Sequence, residues 1–256
     1  MTLLSADAIS VRLGRTLALD AVSLAVAPGE FVGLVGPNGA GKTTFLRAAA
    51  GLVPLAGGAL RIKGSSIDDL GAAGVARTLA YLPHGAPCHW PMAARRIVAL
   101  GRIPHLGAWR RPSAADEAVL DRAMARAQVE EFAARPVKEL SDGERARVMI
   151  ARALAQEPDL LLADEPTAAL DPYHQLRVLE ILRGIADAGG GVLAVFHDLP
   201  MAARFCTRLA LLVRGRVLAD GAVAAVLTPE HVRAAYGVEI AAHQATTFTL
   251  PARLLP

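Results

Sequence analysis

Residues 36–43 read Gly36-Pro37-Asn38-Gly39-Ala40-Gly41-Lys42-Thr43, the spacing G-x-x-x-x-G-K-[ST] of a phosphate-holding loop. The glycines let the backbone fold around phosphate oxygens with no Cβ in the way. The loop N–H groups and the start of the following helix then face the anion. Lys42 is placed to reach the β- and γ-phosphates of a nucleotide and the Thr43 hydroxyl to bind Mg²⁺, with Thr44 beside it. A second group is Asp164-Glu165, which ends the apolar run 160–163. From there Asp164 would join the Mg²⁺ shell, and Glu165 would polarise an attacking water as general base. Many strands end in an aspartate; this one gains meaning from the loop that precedes it.

These residues need elements that bring them together. The run 30–35 (EFVGLV) reads as an apolar strand entering the loop, and 42–50 as the helix leaving it, closed by Gly51. Runs 160–163 and 192–196 read as two more strands with a helix over 173–188 between them. That β-α-β unit implies a parallel sheet. Strand ends in such a sheet share one edge, so the loop, Asp164-Glu165 and His197 after the run 192–196 are expected there. Further strand signals lie at 8–11, 22–26, 58–62 and 79–82, with a turn at Pro28-Gly29 and a closing hairpin over 209–213 and 216–219 around Gly215. The middle, 87–156, has helical periodicity; 114–127 carries its acids early and its arginines late, as a helix dipole favours. The expected fold is therefore α/β: a phosphate-loop nucleotide-hydrolase core with a mostly parallel sheet, an N-terminal antiparallel β subdomain and an inserted helical subdomain. Residues 1–256 read as one domain, with a weakly patterned tail over 229–256.

A chain of 256 residues can bury a sizeable core. Its net charge of +3 includes no dense Lys/Arg block with interleaved aromatics, which argues against a nucleic-acid surface. The pairs Arg95-Arg96 and Arg110-Arg111 read as solvated faces. Cys88 and Cys206 form no metal-spaced pair and fit a reducing compartment. Residues 1–11 lack the basic start and apolar stretch of a secretory leader, and no apolar run nears the ~20 residues that cross a bilayer. A membrane role would then come through a partner.

Two further pieces complete a pattern. Leu140-Ser141-Asp142-Gly143-Glu144 precedes a helix starting near Arg145, and Ala168-Ala169-Leu170-Asp171 follows Asp-Glu-Pro-Thr. The order of phosphate loop, Leu-Ser-x-Gly-Glu, Asp-Glu-Pro-Thr, Ala-Leu-Asp and terminal His197 resembles the ATP-binding cassette family across nearly the whole chain. The resemblance implies ATP and Mg²⁺, and a homodimer with each ATP between the phosphate loop of one copy and the signature of the other. Ser141 and the Gly143 N–H would bind the γ-phosphate across that interface. Asp171 would join the two sites, and His197 would hold the γ-phosphate and the attacking water. Three positions depart from the family. Asp142 stands where glycine is usual, expected to point away and cap its own helix. Arg12 or Leu13 stands where an adenine-stacking aromatic is expected, and His84 replaces the glutamine that senses Mg²⁺ and the γ-phosphate. We expect neutral His84 to take over that role as a metal-side ligand.

The stretch 89–109 (HWPMAARRIVALGRIPHLGAW) resembles the ATPases of iron-chelate uptake, a group that imports ferric siderophores, haem or cobalamin. This implies an integral membrane permease that docks at 84–109. It also implies a periplasmic or surface binding protein met indirectly, and a peripheral position on the cytoplasmic face of the membrane. His89 and His105 have neither the spacing nor the neighbours of a metal site. The rival reading is a soluble cassette ATPase of iron–sulfur cluster assembly or of another non-transport role.

Overall fold

The computed structural model describes residues 2–85, 91–106 and 112–238. Cys88, His89, Trp90, Trp109, Arg110, Arg111 and the tail beyond 238 lie outside them. Two long antiparallel strands open the chain, β1 (Leu4–Leu13) and β2 (Thr16–Val26), joined through Gly14 at φ 59°. Both run longer than the sequence patterns at 8–11 and 22–26 suggest. The apolar strand β3 (Phe31–Val35) leads to α1 (Lys42–Ala49). Then come β4 (Gly57–Ile62), β5 (Ser65–Ser66), α2 (Ile67–Thr78) and β6 (Leu79–Leu82). Helices α3 (Ala94–Ala99), α4 (Ala114–Ala127) and α5 (Asp142–Ala155) fill most of the middle. The chain closes with β7 (Leu160–Asp164), α6 (Pro172–Asp187), β8 (Gly191–Val195), α7 (Leu199–Phe205), β9 (Arg208–Val213), β10 (Arg216–Gly221), α8 (Val223–Val226) and α9 (Pro229–Tyr236).

Two sheets form. One is antiparallel, in the order β2-β1-β4-β5; the other runs β10-β9-β3-β8-β7-β6. Within the second, β9, β3, β8, β7 and β6 are parallel and only β10 is antiparallel. Parallel strands buried on both faces need apolar residues at every position. In β7, Leu161 and Ala163 join the core on the side of the middle helices, while Leu160 and Leu162 join the core shared with the N-terminal sheet. No helix among the described residues is long and apolar enough to cross a membrane.

The middle helices are tied down at one end by a polar knot. Gly101 lies so close to α5 that an added Cβ would fall 2.1 Å from the Arg152 carbonyl oxygen. Arg102, only 8% exposed, donates to Asp116 Oδ1 (3.0 Å), the Ala155 carbonyl (2.9 Å) and Glu157 Oε2 (2.9 Å). His105 Nε2 donates to the Gln156 carbonyl (2.8 Å), and the Gln156 amide donates in turn to the carbonyls of Ala76 and Leu79. His105 is thus a packing residue, and no group of three or more metal-ligating side chains occurs among the described residues.

Three features differ from the sequence reading. α5 begins at Asp142, three residues before Arg145, because Ser141 and Glu144 form a reciprocal capping box. Asp142 therefore does not cap this helix: Ser141 does, and the Asp142 side chain, 71% exposed, pairs outward with Arg145 at 3.3 Å. The tail also holds α9, capped by Thr228 and ended by Gly237 at φ 70°. Cys206 is buried, which pushes its thiol pKa upward.

Candidate functional site

Strand register alone brings the site together. β6 pairs with β7 so that Leu82 faces Ala163, which sets His84 near Glu165 two residues further on. β7 pairs with β8 so that Asp164 faces Val195, which sets Glu165 level with the chain leading to His197. β3, on the far side of β8, delivers the phosphate loop to the same edge. The cleft of about 580 Å³ is lined by residues 38–44 with Glu165 and His197, and at its outer side by Leu13, Leu17 and Arg214. Its size suits a small-molecule ligand.

The loop is held by close backbone approaches. A Cβ on Gly36, at φ 147°, would fall 2.0 Å from the Leu212 carbonyl oxygen, and one on Gly41, at φ 104°, 2.7 Å from that of Ala18. The Gly215 N–H donates to the Ala40 carbonyl at 2.9 Å, so the β9–β10 turn braces the loop from outside. Pro37, Asn38 and Gly39 form the loop's outward arc, and Gly39 has φ 76°. Lys42 is 6% exposed, and its Nζ donates to the carbonyls of Gly36 (2.7 Å) and Pro37 (3.0 Å). Burial lowers the Lys42 pKa, opposed by the nearby carboxylates of Glu165 and Asp164.

The Thr43 hydroxyl donates to Asp164 Oδ1 (3.1 Å), and the Tyr81 hydroxyl, missed in the sequence, lies 3.4 Å from Oδ2. Asp164 is 1% exposed. Burial raises its pKa, opposed first by the Thr43 hydrogen bond. A buried carboxylate beside a hydroxyl is an all-oxygen donor set that suits a hard divalent cation, so the residues fit Mg²⁺. Glu165 next to it has φ 53°, a left-handed conformation rare for a non-glycine residue. Its carboxylate lies between two imidazoles: His197 Nε2 contacts Oε1, and His84 Nδ1 lies 3.2 Å from Oε2. His84 is thus placed on the general-base candidate, and no hydrogen bond joins it to Thr43 or Asp164.

Ser141, Gly143 and Asp171 sit apart from this cleft. Ser141 Oγ accepts the Glu144 N–H (3.3 Å), while the N–H groups of Asp142 and Gly143 have no acceptor within the helix, as at any helix start. Asp171 caps α6 and accepts the His174 N–H at 2.9 Å, the larger cause of its lowered pKa. Where an aromatic would face adenine, Leu13 (49% exposed) and Leu17 (39%) line the cleft. His174 and Arg214 were also missed: neither belongs to a spaced motif, and their surroundings arise only from the fold.

Fold and site define a nucleotide-binding domain of the phosphate-loop class. The family model described as ABC transporter matches residues 19–168, and the chain belongs to that family. It is 45% identical over 239 residues to the cobalamin import ATP-binding protein BtuD of Halobacterium salinarum, a match covering 93% of this chain and 60% of that protein. It is 48% identical over 219 residues to the hemin import ATP-binding protein HmuV of Streptomyces coelicolor, covering 86% and 78%. A solved ATP-binding subunit of an ABC transporter superposes with a TM-score of 0.76 at 29% identity, covering 93% of this chain and 95% of the other. The chain spans only 60% of the length of the halobacterial relative.

Proposed function

We propose that this chain is the ATP-binding and ATP-hydrolysing subunit of an importer that energises uptake of an iron chelate (siderophore or haem) or cobalamin through a separate membrane permease. The observation that carries the hydrolytic part is Glu165, held between His197 and His84 at the mouth of the Lys42 loop. ATP enters with its phosphates in the loop, and Lys42 exchanges the carbonyls of Gly36 and Pro37 for phosphate oxygens. Thr43 and Asp164 would hold Mg²⁺, which neutralises charge on the β- and γ-oxygens when bound. Glu165 orients and polarises the attacking water, and His197 steadies both the water and the γ-phosphate. Two copies close head to tail, so that the free N–H groups at the start of α5 face the partner's γ-phosphate.

The transport part is supported by the relatives, named for import of cobalamin and of hemin. A peripheral place on the cytoplasmic face, with a permease and an external binding protein, follows from that reading. Co-expression with a permease and binding protein in a transport-deficient host tests it. Uptake of labelled haem, ferric siderophore or cobalamin that needs Lys42 supports the proposal. A chain that hydrolyses ATP but neither binds a permease nor supports uptake fits the soluble iron–sulfur assembly reading instead.

A further inference from the structure

His174 is the side chain through which the signature and Asp171 meet. Its ring fills the place where Gly143 would carry a side chain: a Cβ there would fall 2.3 Å from His174 Cγ and Cδ2 and 2.9 Å from its Cβ. Its Nδ1 lies 3.0 and 2.9 Å from the two Asp171 carboxylate oxygens, and its own N–H donates to Oδ1 at 2.9 Å. A carboxylate only accepts, so Nδ1 carries the proton and donates to it. The ring is 23% exposed, and Tyr173 packs edge-on to it with ring centres 5.3 Å apart. Gly143 belongs to the middle helices and Asp171 to the core after β7, so this one imidazole spans the two.

We infer that His174 is a positioning residue that locks the start of α5 to the Asp171 loop, so that both reach the partner copy's nucleotide as one rigid unit. The inference rests on the proposed head-to-tail dimer. It gives Gly143 a second reason to lack a side chain: the N–H must face phosphate while the α-carbon abuts the His174 ring. Without the ring, Asp171 keeps the His174 backbone N–H but loses its side-chain donor, and the start of α5 loses its support, while the phosphate loop of the same chain is untouched.

The experiment uses the full chain, with ATP-driven dimerisation followed on a sizing column in the Glu165→Gln background and turnover in the wild-type background. His174→Ala is expected to leave ATP affinity at the phosphate loop within about twofold, to lower kcat about tenfold, and to raise about tenfold the ATP concentration needed for dimerisation, the scale of a contact coupling. Asn places its amide where Nδ1 stands, so His174→Asn is expected to recover most of the loss. Gly143→Ala should impair turnover in the wild-type chain and cost less on top of His174→Ala, because the two closest approaches are to ring atoms and only the 2.9 Å approach to the His174 Cβ remains. Wild-type kcat and dimerisation in His174→Ala would overturn the inference. So would equal losses of ATP affinity, kcat and melting temperature in both His174 variants, which would mark general structural damage. If Glu165→Gln alone forms no ATP-dependent dimer, the dimer reading fails instead, and the inference with it.

Discussion

At the scale of residues, Glu165 combines a left-handed backbone, a place beside buried Asp164 and two imidazole neighbours. Holding such a conformation costs on the order of 1–3 kcal/mol, and the surrounding strands must supply it. Replacing Glu165 with Gln keeps the shape and removes the base. Turnover should fall about 10²–10⁴-fold with ATP affinity retained, measured by phosphate release and equilibrium binding. Turnover near the wild-type rate would remove Glu165 from that role. His84 stands where the resemblance leads us to expect glutamine, whose amide N–H can donate to a carboxylate as an imidazole N–H can. We expect His84→Gln to keep permease-stimulated hydrolysis, and His84→Ala to lower the stimulated rate more than the basal one in reconstituted vesicles. Equal effects on both rates would place His84 outside coupling. Lys42, Thr43, Asp164, Glu165 and His197 were legible because their chemistry lies in contiguous motifs at strand ends. Tyr81 and His174 were not, because a hydroxyl 83 residues from its aspartate and a ring against a distant glycine leave no spacing to read.

At the scale of elements, the described part of the segment that resembles the iron-chelate group, 91–106, also carries packing. Gly101→Ala would drive a methyl into the Arg152 carbonyl, 2.1 Å from the ideal Cβ position. We expect a loss of about 1–3 kcal/mol or more in unfolding free energy, read by denaturant titration. A neutral substitution would show that the turn after α3 can move away from α5 freely. Asp116 offers a pH test. The Ser113 N–H, the Ser113 hydroxyl and Arg102 lower its pKa from 3.8 to about 2. A carboxylate with a depressed folded-state pKa stabilises the fold above its unfolded value and loses that contribution as pH falls through the folded one. The melting temperature of Asp116→Asn should therefore lie below wild type at neutral pH, with the gap closing between about pH 4 and 2. A gap independent of pH would assign the loss to packing. The span 114–127 was legible because its charge order and Ser113 agree. The start of α5 was not, because its capping box overlaps a sequence that reads first as a ligand motif. α9 was hidden because its inward face is short: Val232 is fully buried, and only Ala235 and Tyr236 pack beside it.

At the scale of the whole molecule, the middle helices meet the core at the α5–α6 contact and at the knot of Arg102 and Gln156. α3 lies within the segment expected to receive the permease. Single cysteines at Ala93 or Arg96 should cross-link to the permease in membranes, while cysteines beyond Thr228 should not. The reverse pattern would move the docking surface to the tail. The strand order has a consequence for synthesis. β3 emerges early, yet its neighbours are β8 and β9, which end at Val195 and Val213. At ribosomal rates of about 5–20 residues per second, this bare apolar strand waits roughly 8–32 s for its first partner, β8. Ribosome-stalled chains cut before residue 190 should show no protease-resistant core, and chains extended past the exit tunnel beyond residue 221 should show one. The phosphate loop thus takes shape late, only once β8 and β9 have been made to flank the strand that carries it.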